Sequence, residues 1–143
     1  MTQEKGLIEY INPDSLSKNQ AFTQAVAVSG QVKTIYIGTQ NAVDASGKII
    51  GKGDIGAQTE QILKNIDACL EAAKATKYHI VTWNIYINQG QPVQAAFAKF
   101  LTWWGNRPNP PANNCIIVPG CIVPEFLIGI DAVAVVPQQN GSI

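Results

Sequence analysis

The sequence predicts an α+β fold, a two-layer sandwich in which two helices pack on one face of a mixed sheet. Three observations predict it. Two segments place apolar residues at the period of a one-sided helix, one segment alternates at the period of a strand, and shorter apolar runs lie before and after them. The predicted order is therefore β-β-α-β-α-β-β.

The first half of the chain supplies two strands and a helix. The strands are predicted at residues 22–28 and 34–39, separated by a turn-like Ser-Gly-Gln segment. The first helix is predicted over residues 58–74, where one face carries a continuous apolar stripe: Ile62, Leu63, Ile66, Cys69, Leu70 and Ala73.

The second half begins with a strand at residues 80–87 whose two faces differ. One face carries Val81, Trp83, Ile85 and Ile87 and suits a helix layer, whereas Thr82, Asn84 and Tyr86 lie on the other. A second helix is predicted over residues 91–104, with a single buried stripe: Val93, Ala96, Phe97, Phe100, Leu101 and Trp104. Gly105 and a Pro-rich stretch end it, and strands follow at residues 115–118 and 127–136.

Length and charge narrow the class of protein. The 143 residues predict one domain spanning 1–143, and ten Lys+Arg balance ten Asp+Glu. The cations are scattered and only one is an arginine, so no nucleic-acid partner is expected. No apolar run is long enough to span a membrane, and the N-terminal residues do not resemble a secretory signal. We therefore expect a cytoplasmic protein.

Metal and cofactor sites are not expected either. His79 is the only histidine of the sequence. The three cysteines have no CxxC spacing, and we interpret them as reduced thiols. The segment Gly51-Lys-Gly-Asp-Ile-Gly56 matches GxGxxG, but no buried strand of adequate length precedes it. A turn leading into a helix is the favoured interpretation, and we expect no cofactor and no metal.

Two helices cannot cover both faces of the predicted sheet. The uncovered face would carry apolar side chains, which in a soluble protein are normally buried by another subunit. A homo-oligomer is therefore expected.

Several motifs resemble those of the RidA/YjgF family, whose older label is endoribonuclease L-PSP. Residues 22–26 read FTQAV, residues 34–40 read TIYIGTQ, and residues 58–62 read QTEQI, which is similar to the first helix of the family. Near the C-terminus, PANNC at 111–115 resembles the family's P-A-R-S-x segment, and IDAVA at 130–134 resembles its last strand. Each motif alone is only weakly specific, but the order and spacing of the motifs match those of the family.

This resemblance implies a chorismate-mutase-like subunit that forms a homotrimer, with sheets lining a central barrel and ligand-binding clefts between subunits. Active family members hydrolyse reactive enamines or imines and release ammonia. In them an arginine holds the substrate carboxylate and a glutamate near the last strand positions water.

The chain departs from that pattern at both charged positions. The family's arginine aligns with Asn113, and its glutamate aligns with Gly129. An amide cannot offer the charge-assisted pair that a guanidinium makes with a carboxylate. The remaining substrate-binding candidates are uncharged: Phe22, Gly38 or Thr39, Gln94, Asn114 and Cys115.

Two loop residues could compensate for the missing charges. Arg107 lies in the Pro-rich loop before Asn113 and is a candidate for substrate binding, and Glu125 lies before Gly129 and is a candidate catalytic group. Three functions remain open. They are hydrolysis of an enamine, imine or related small molecule, non-catalytic binding of a small ligand by a trimer, and, less favoured, a ribonuclease or translation-inhibitor activity.

Overall fold

A computed structural model describes residues 4–139 of the chain. A short 3₁₀ turn at Lys77–His79 precedes the fourth strand. In chain order the strands and helices are β1 (Leu7–Ile11), β2 (Ala25–Ser29), β3 (Val32–Gln40), α1 (Ile55–Ala72), β4 (Ile80–Asn88), α2 (Val93–Trp104), β5 (Ala112–Val118) and β6 (Ile128–Pro137).

Four strands form the main sheet in the order β3-β6-β4-β5. β4 and β5 are parallel, whereas β6 is antiparallel to both of its neighbours, so the sheet is mixed. α1 packs on α2, β3 and β6, and side chains of both helices join those of the strands in one hydrophobic core. The predicted α+β fold, two helices on a mixed sheet, is confirmed.

β1 and β2 form a separate antiparallel pair that the sequence analysis described only in part. β1 was not predicted from the sequence, and the predicted start of β2 at residue 22 was wrong because β2 starts at Ala25. Residues before it are bound to the Pro-rich loop instead, because the Thr23 hydroxyl donates to the Pro110 carbonyl and the Thr23 N–H donates to the Pro111 carbonyl. This docking places Phe22 beside the loop that follows α2.

β4 is the centre of the sheet and has two chemically distinct faces, as predicted. Trp83, Ile85 and Ile87 are buried on the helix side, and Asn84 and Tyr86 are half-buried on the other. The pairing of β4 with β6 on one side and β5 on the other carries this division across three strands.

α1 begins after a tight turn rather than after a nucleotide-binding strand. Gly51 and Gly53 both have positive φ, a conformation that glycine adopts without steric cost. The Asp54 side chain then caps the helix by accepting from the Ala57 N–H at 3.1 Å. The interpretation of the GxGxxG segment as a turn leading into a helix is confirmed.

The apolar stripe of α2 is less buried than its helical periodicity predicts. It ends at Gly105, which has positive φ, and its Ala96, Phe100 and Trp104 are buried. However, Phe97 is 37% exposed and Leu101 is 65% exposed, so the prediction that the whole stripe is buried was wrong at these two positions. Neither α2 nor any other helix within residues 4–139 is long and apolar enough to cross a membrane.

Candidate functional site

A cavity of about 390 Å³ lies where α2 passes the edge strand β5, and we call it the apolar cavity. Its walls are mostly aromatic and aliphatic, and no charged side chain lines it. The lining residues are Asn19, Ala21, Phe22, Trp83, Ile85, Phe97, Phe100, Leu101, Asn113 and Cys115.

The register of the sheet explains why Asn113 and Cys115 reach this cavity. Trp83 is paired with Asn113 and Ile85 with Cys115, so these side chains share the helix-facing side of β4 and β5. Within residues 4–139, β5 is an edge strand and no strand pairs with its other side. The apolar stripe of α2 therefore extends past the strands that cover it, and Phe97 becomes wall rather than core.

Aromatic rings hold the cavity wall in place. Phe100 packs 5.3 Å from Trp83 and 5.9 Å from Phe97, measured between ring centroids. Such tilted pairs contribute about 0.5–1.5 kcal/mol each beyond the area that they bury. The Trp83 indole N–H is buried and has no acceptor among residues 4–139. The wall is therefore rigid and apolar, and it offers few hydrogen-bond acceptors.

The polar groups that line the apolar cavity carry no charge near neutral pH. Cys115 is exposed at the cavity, but partial desolvation there raises the pKa of its thiol above its ordinary value, so the thiol stays protonated near neutral pH. Asn113 supplies one amide, which can donate and accept but carries no charge. The cavity therefore favours uncharged ligand surface.

A second cavity of about 670 Å³, the amide cavity, adjoins the first. It lies between the chain before β2 and the loop after α2, and it shares Asn19, Ala21, Phe22 and Leu101 with the apolar cavity. Arg107 lines the amide cavity, and its guanidinium carbon lies 4.2 Å from the centre of the Tyr78 ring. The Arg107 carbonyl accepts from the Trp104 indole N–H at 2.8 Å, which ties the loop to the end of α2.

A third cavity of about 340 Å³, the loop cavity, is bounded by the β5–β6 loop. Thr39 and Gly129 line it together with Tyr86 and Cys121. At Gly129 a Cβ atom would come within 3.0 Å of both the Thr39 Cγ2 and the Asn41 Nδ2. Neighbouring side chains thus occupy the space into which a longer residue at this position would extend.

The face of the sheet away from the helices carries a row of hydrogen-bonded side chains. The Asn114 Nδ2 donates to Asn84, whose own Nδ2 donates to Asp131, at 2.9 and 2.8 Å. The Tyr86 hydroxyl donates to the other Asp131 oxygen at 2.9 Å, and this bond is the main cause that raises the pKa of Tyr86. The row links β5, β4 and β6.

One buried amide outside the cavities organises the β5–β6 loop. The Gln58 side chain, on the first turn of α1, is fully buried. Its Nε2 donates to the carbonyls of Gly51 and Glu125 at 3.1 and 2.8 Å, and its Oε1 accepts from the Leu127 N–H at 2.9 Å. The start of β6 is therefore attached to the start of α1.

The structure distributes the predicted site residues over several places. Phe22, Asn113 and Cys115 meet in the apolar cavity, Arg107 lines the adjoining amide cavity with Phe22, and Thr39 lines the loop cavity. Four others line none of these three cavities: Gly38 on β3, Gln94 on α2, Asn114 on the other face of β5, and exposed Glu125 in the loop before β6.

The sequence analysis missed the aromatic wall as a site. It assigned Trp83, Phe97, Phe100 and Leu101 to the core, because an apolar stripe does not reveal how much of it the sheet covers. Among residues 4–139 no three His, Cys, Asp or Glu side chains gather in a way that could hold a metal ion.

Solved structures of the Rid protein family have a similar fold. YyfB of Yersinia pestis superimposes with a TM-score of 0.79 and 30% identity, covering 90% of this chain and 98% of that one. YyfA of the same organism gives 0.67 and 26%, covering 91% and 100%. A RutC family protein of Synechocystis is 27% identical over 120 residues, 81% of this chain and 86% of its own.

The family of the chain is shown by a match to a family model that covers most of the sequence. The model of the family described as Endoribonuclease L-PSP matches residues 13–136. The chain belongs to this family, the RidA/YjgF family, and the resemblance seen in its motifs is confirmed.

Proposed function

We propose that this RidA-family protein binds an uncharged, largely aromatic or aliphatic small molecule in the apolar cavity. One observation carries the proposal. The cavity has a volume of about 390 Å³ and its lining includes four aromatic side chains but no charged one. A pocket of this size with few polar groups is typical of small-molecule sites.

The electrostatics of the cavity disfavour the carboxylate substrates of the family. Moving a carboxylate out of water without a cationic partner is costly, and the Asn113 amide provides none. Loss of a charge-assisted hydrogen bond costs about 1.5–3 kcal/mol, or roughly one to two powers of ten in affinity. An uncharged ligand avoids this cost and uses Asn113 for orientation.

Binding without turnover is better supported than catalysis. Hydrolysis of an imine adds water across C=N and expels an amine, so it needs a group that takes a proton from water and returns one to nitrogen. The pKa of the Cys115 thiol is raised by partial desolvation, and Asn113 does not titrate. Exposed Glu125 is attached by its carbonyl to Gln58 and does not line the cavity. Hydrolysis of a neutral enamine or imine remains the second candidate, supported by the family.

We also propose that the subunits form a homotrimer that closes the cavities between them. Tyr36 is 81% exposed and Ile116 is 42% exposed on the sheet face away from the helices, and Leu101 is 65% exposed at the mouth of the apolar cavity. Exposed apolar groups of this extent favour burial by another copy. Light scattering coupled to size exclusion measures the mass, and a monomer at micromolar concentration contradicts the proposal.

Asn113→Arg tests the ligand class directly. We expect naphthalene methanol to bind the wild-type protein about tenfold or more tighter than naphthoate, as measured by calorimetry, and the variant to reverse this preference. Ala98→Arg is the matched control, since Ala98 is exposed on α2 and lines none of the three cavities. Equal binding of both probes to the wild type, or no binding of either, contradicts the proposal.

Turnover is measured separately. Imines generated from neutral amino acids by an oxidase are offered to the wild-type protein and to Glu125→Gln, and the decay of the imine is followed. Binding without turnover predicts the same decay rate with and without protein. Accelerated decay that Glu125→Gln abolishes favours the enzyme instead.

A further inference from the structure

Arg107 carries a charge that nothing else in its surroundings neutralises. It is the only arginine of the chain, and no carboxylate within residues 4–139 lies within ion-pair distance of it. Its guanidinium carbon lies 4.2 Å from the centre of the Tyr78 ring. A cation–π contact does not neutralise the guanidinium as an ion pair would, so its N–H donors can still bind a carboxylate.

Two exposed asparagines that line the same cavity as Arg107 supply further donors. Asn12 and Asn19 both line the amide cavity. The Asn12 Oδ1 accepts from the Gln24 N–H at 2.9 Å, and the Asn19 Oδ1 accepts from the Ala21 N–H at 2.7 Å. Because the oxygens are used in this way, each NH₂ group is left to donate elsewhere, and neither has an acceptor among residues 4–139. One cation and two amide donors make a site for an anionic oxygen group.

The amide cavity and the apolar cavity lie side by side, and we call the two together the groove. Phe22 and Leu101 belong to the walls of both, as do Asn19 and Ala21. A ligand that fills the apolar cavity and extends past Phe22 therefore enters the cavity that Arg107 lines. The groove is apolar at the β5 end and cationic at the loop end.

We propose that the groove binds an amphipathic carboxylate, with its aromatic or aliphatic end in the apolar cavity and its carboxylate on Arg107. This inference rests on the proposed function and refines it: the part of the ligand that fills the apolar cavity is uncharged, and the carboxylate lies outside that cavity, on Arg107. It adds that the anion-binding group has moved from the β5 position, now Asn113, to the loop after α2. The ligand must be long enough to span both cavities.

The experiment compares phenyl-substituted fatty acids of increasing length with the matching alcohols. The probes are phenylacetate, phenylbutyrate, phenylhexanoate and phenyloctanoate, with calorimetry at low salt as the readout. For the longer chains we expect the carboxylate to bind about 10- to 100-fold tighter than its alcohol, and for phenylacetate no advantage. Added salt should reduce the advantage.

Substitutions test whether Arg107 causes this advantage, the tighter binding of the carboxylates relative to their alcohols. Arg107→Gln should abolish it, Arg107→Lys should keep part of it, and Lys52→Gln, at an exposed turn position, should leave it unchanged. The affinity of the alcohols serves as the folding control, because they carry no charge for Arg107 to bind and should have the same affinity in all four proteins.

The outcomes separate the two proposals. If the alcohols bind and the carboxylates have no advantage, or an advantage that survives Arg107→Gln, the role of Arg107 is refuted while the apolar-ligand proposal stands. If the alcohols fail to bind as well, the proposed function is refuted, and this inference with it.

Discussion

Replacement of Gln58 by methionine tests whether one buried amide holds the β5–β6 loop. Methionine matches the length of glutamine but removes all three hydrogen bonds. The Gly51 carbonyl keeps a second donor, the Asp54 N–H at 2.9 Å, whereas the Glu125 carbonyl and the Leu127 N–H lose the partner described for them. The variant therefore leaves two backbone groups without a protein partner.

The expected loss follows from these two groups. Each buried polar group left unpaired costs about 1–3 kcal/mol. Since Glu125 is exposed and its carbonyl can recover water, we expect the free energy of unfolding to fall by about 2–5 kcal/mol in total. For a chain of this length the thermal midpoint should fall by about 7–17 °C.

Urea unfolding followed by tryptophan fluorescence provides the assay, with all proteins at one protomer concentration because association would contribute to stability. Gln61→Met is the matched control. Gln61 lies one turn further along α1, is half-buried, and makes one described side-chain bond, to Asn65 at 2.9 Å. A loss below about 1 kcal/mol for Gln58→Met, or one equal to the control, would refute the reasoning.

Three further predictions concern the helix cap and two titrating groups. Asp54→Ala should lower the free energy of unfolding by about 1 kcal/mol because the Ala57 N–H loses its acceptor, and Asp54→Ser should restore most of it; equal losses in urea unfolding would contradict the cap. Burial, aided by nearby Lys33, lowers the pKa of His79 below 6.5, so its contribution to stability is present above pH 6.5 and is lost as the pH falls through the folded-state pKa. The NMR titration of this single histidine measures that pKa, and a midpoint at or above 6.5 would contradict the burial. The bond to Asp131 raises the pKa of Tyr86 above 10.0, so this contribution is present below pH 10 and is lost as the pH rises through the raised pKa. Tyr10 also titrates late because burial raises its pKa. In alkaline absorbance titrations the phase of the late-titrating tyrosines should therefore lose amplitude in Tyr86→Phe and shift in part to lower pH in Asp131→Asn; titrations identical to the wild type would refute the assignment.

The elements with strong local periodicity could be predicted from the sequence. β4 alternates over nine residues and α1 carries a full apolar stripe, so the predicted bounds of β4 (80–87) differ from the observed ones by one residue and those of α1 (58–74) by two or three. β1 was missed because it has only five residues, and the exposed fraction of its side chains alternates without any buried position. Its pairing with β2 depends on a contact between distant segments, which no local pattern reports.

The candidate site was predictable only where motifs pointed to it. The resemblance drew attention to Phe22, Asn113 and Cys115, and the structure brings these three together. Phe97 and Leu101 were not predicted as site residues, because periodicity identifies an apolar stripe but not the point at which the covering sheet ends. The position of Arg107 depends on a Pro-rich loop, whose path has no periodic signal.

The hydrogen-bonded row on the open face of the sheet affects how freely the site can change. If β4 slipped by one residue, Asn84 would turn toward the helices and Trp83 would turn toward Asp131, so apolar burial and the bonds of the row would be lost together. The strand alignment is thus enforced from the side opposite the cavities. Substitutions at Asn113 or Cys115 can alter what the groove accepts while the alignment of the strands persists, which lets new ligand preferences arise on an unchanged scaffold.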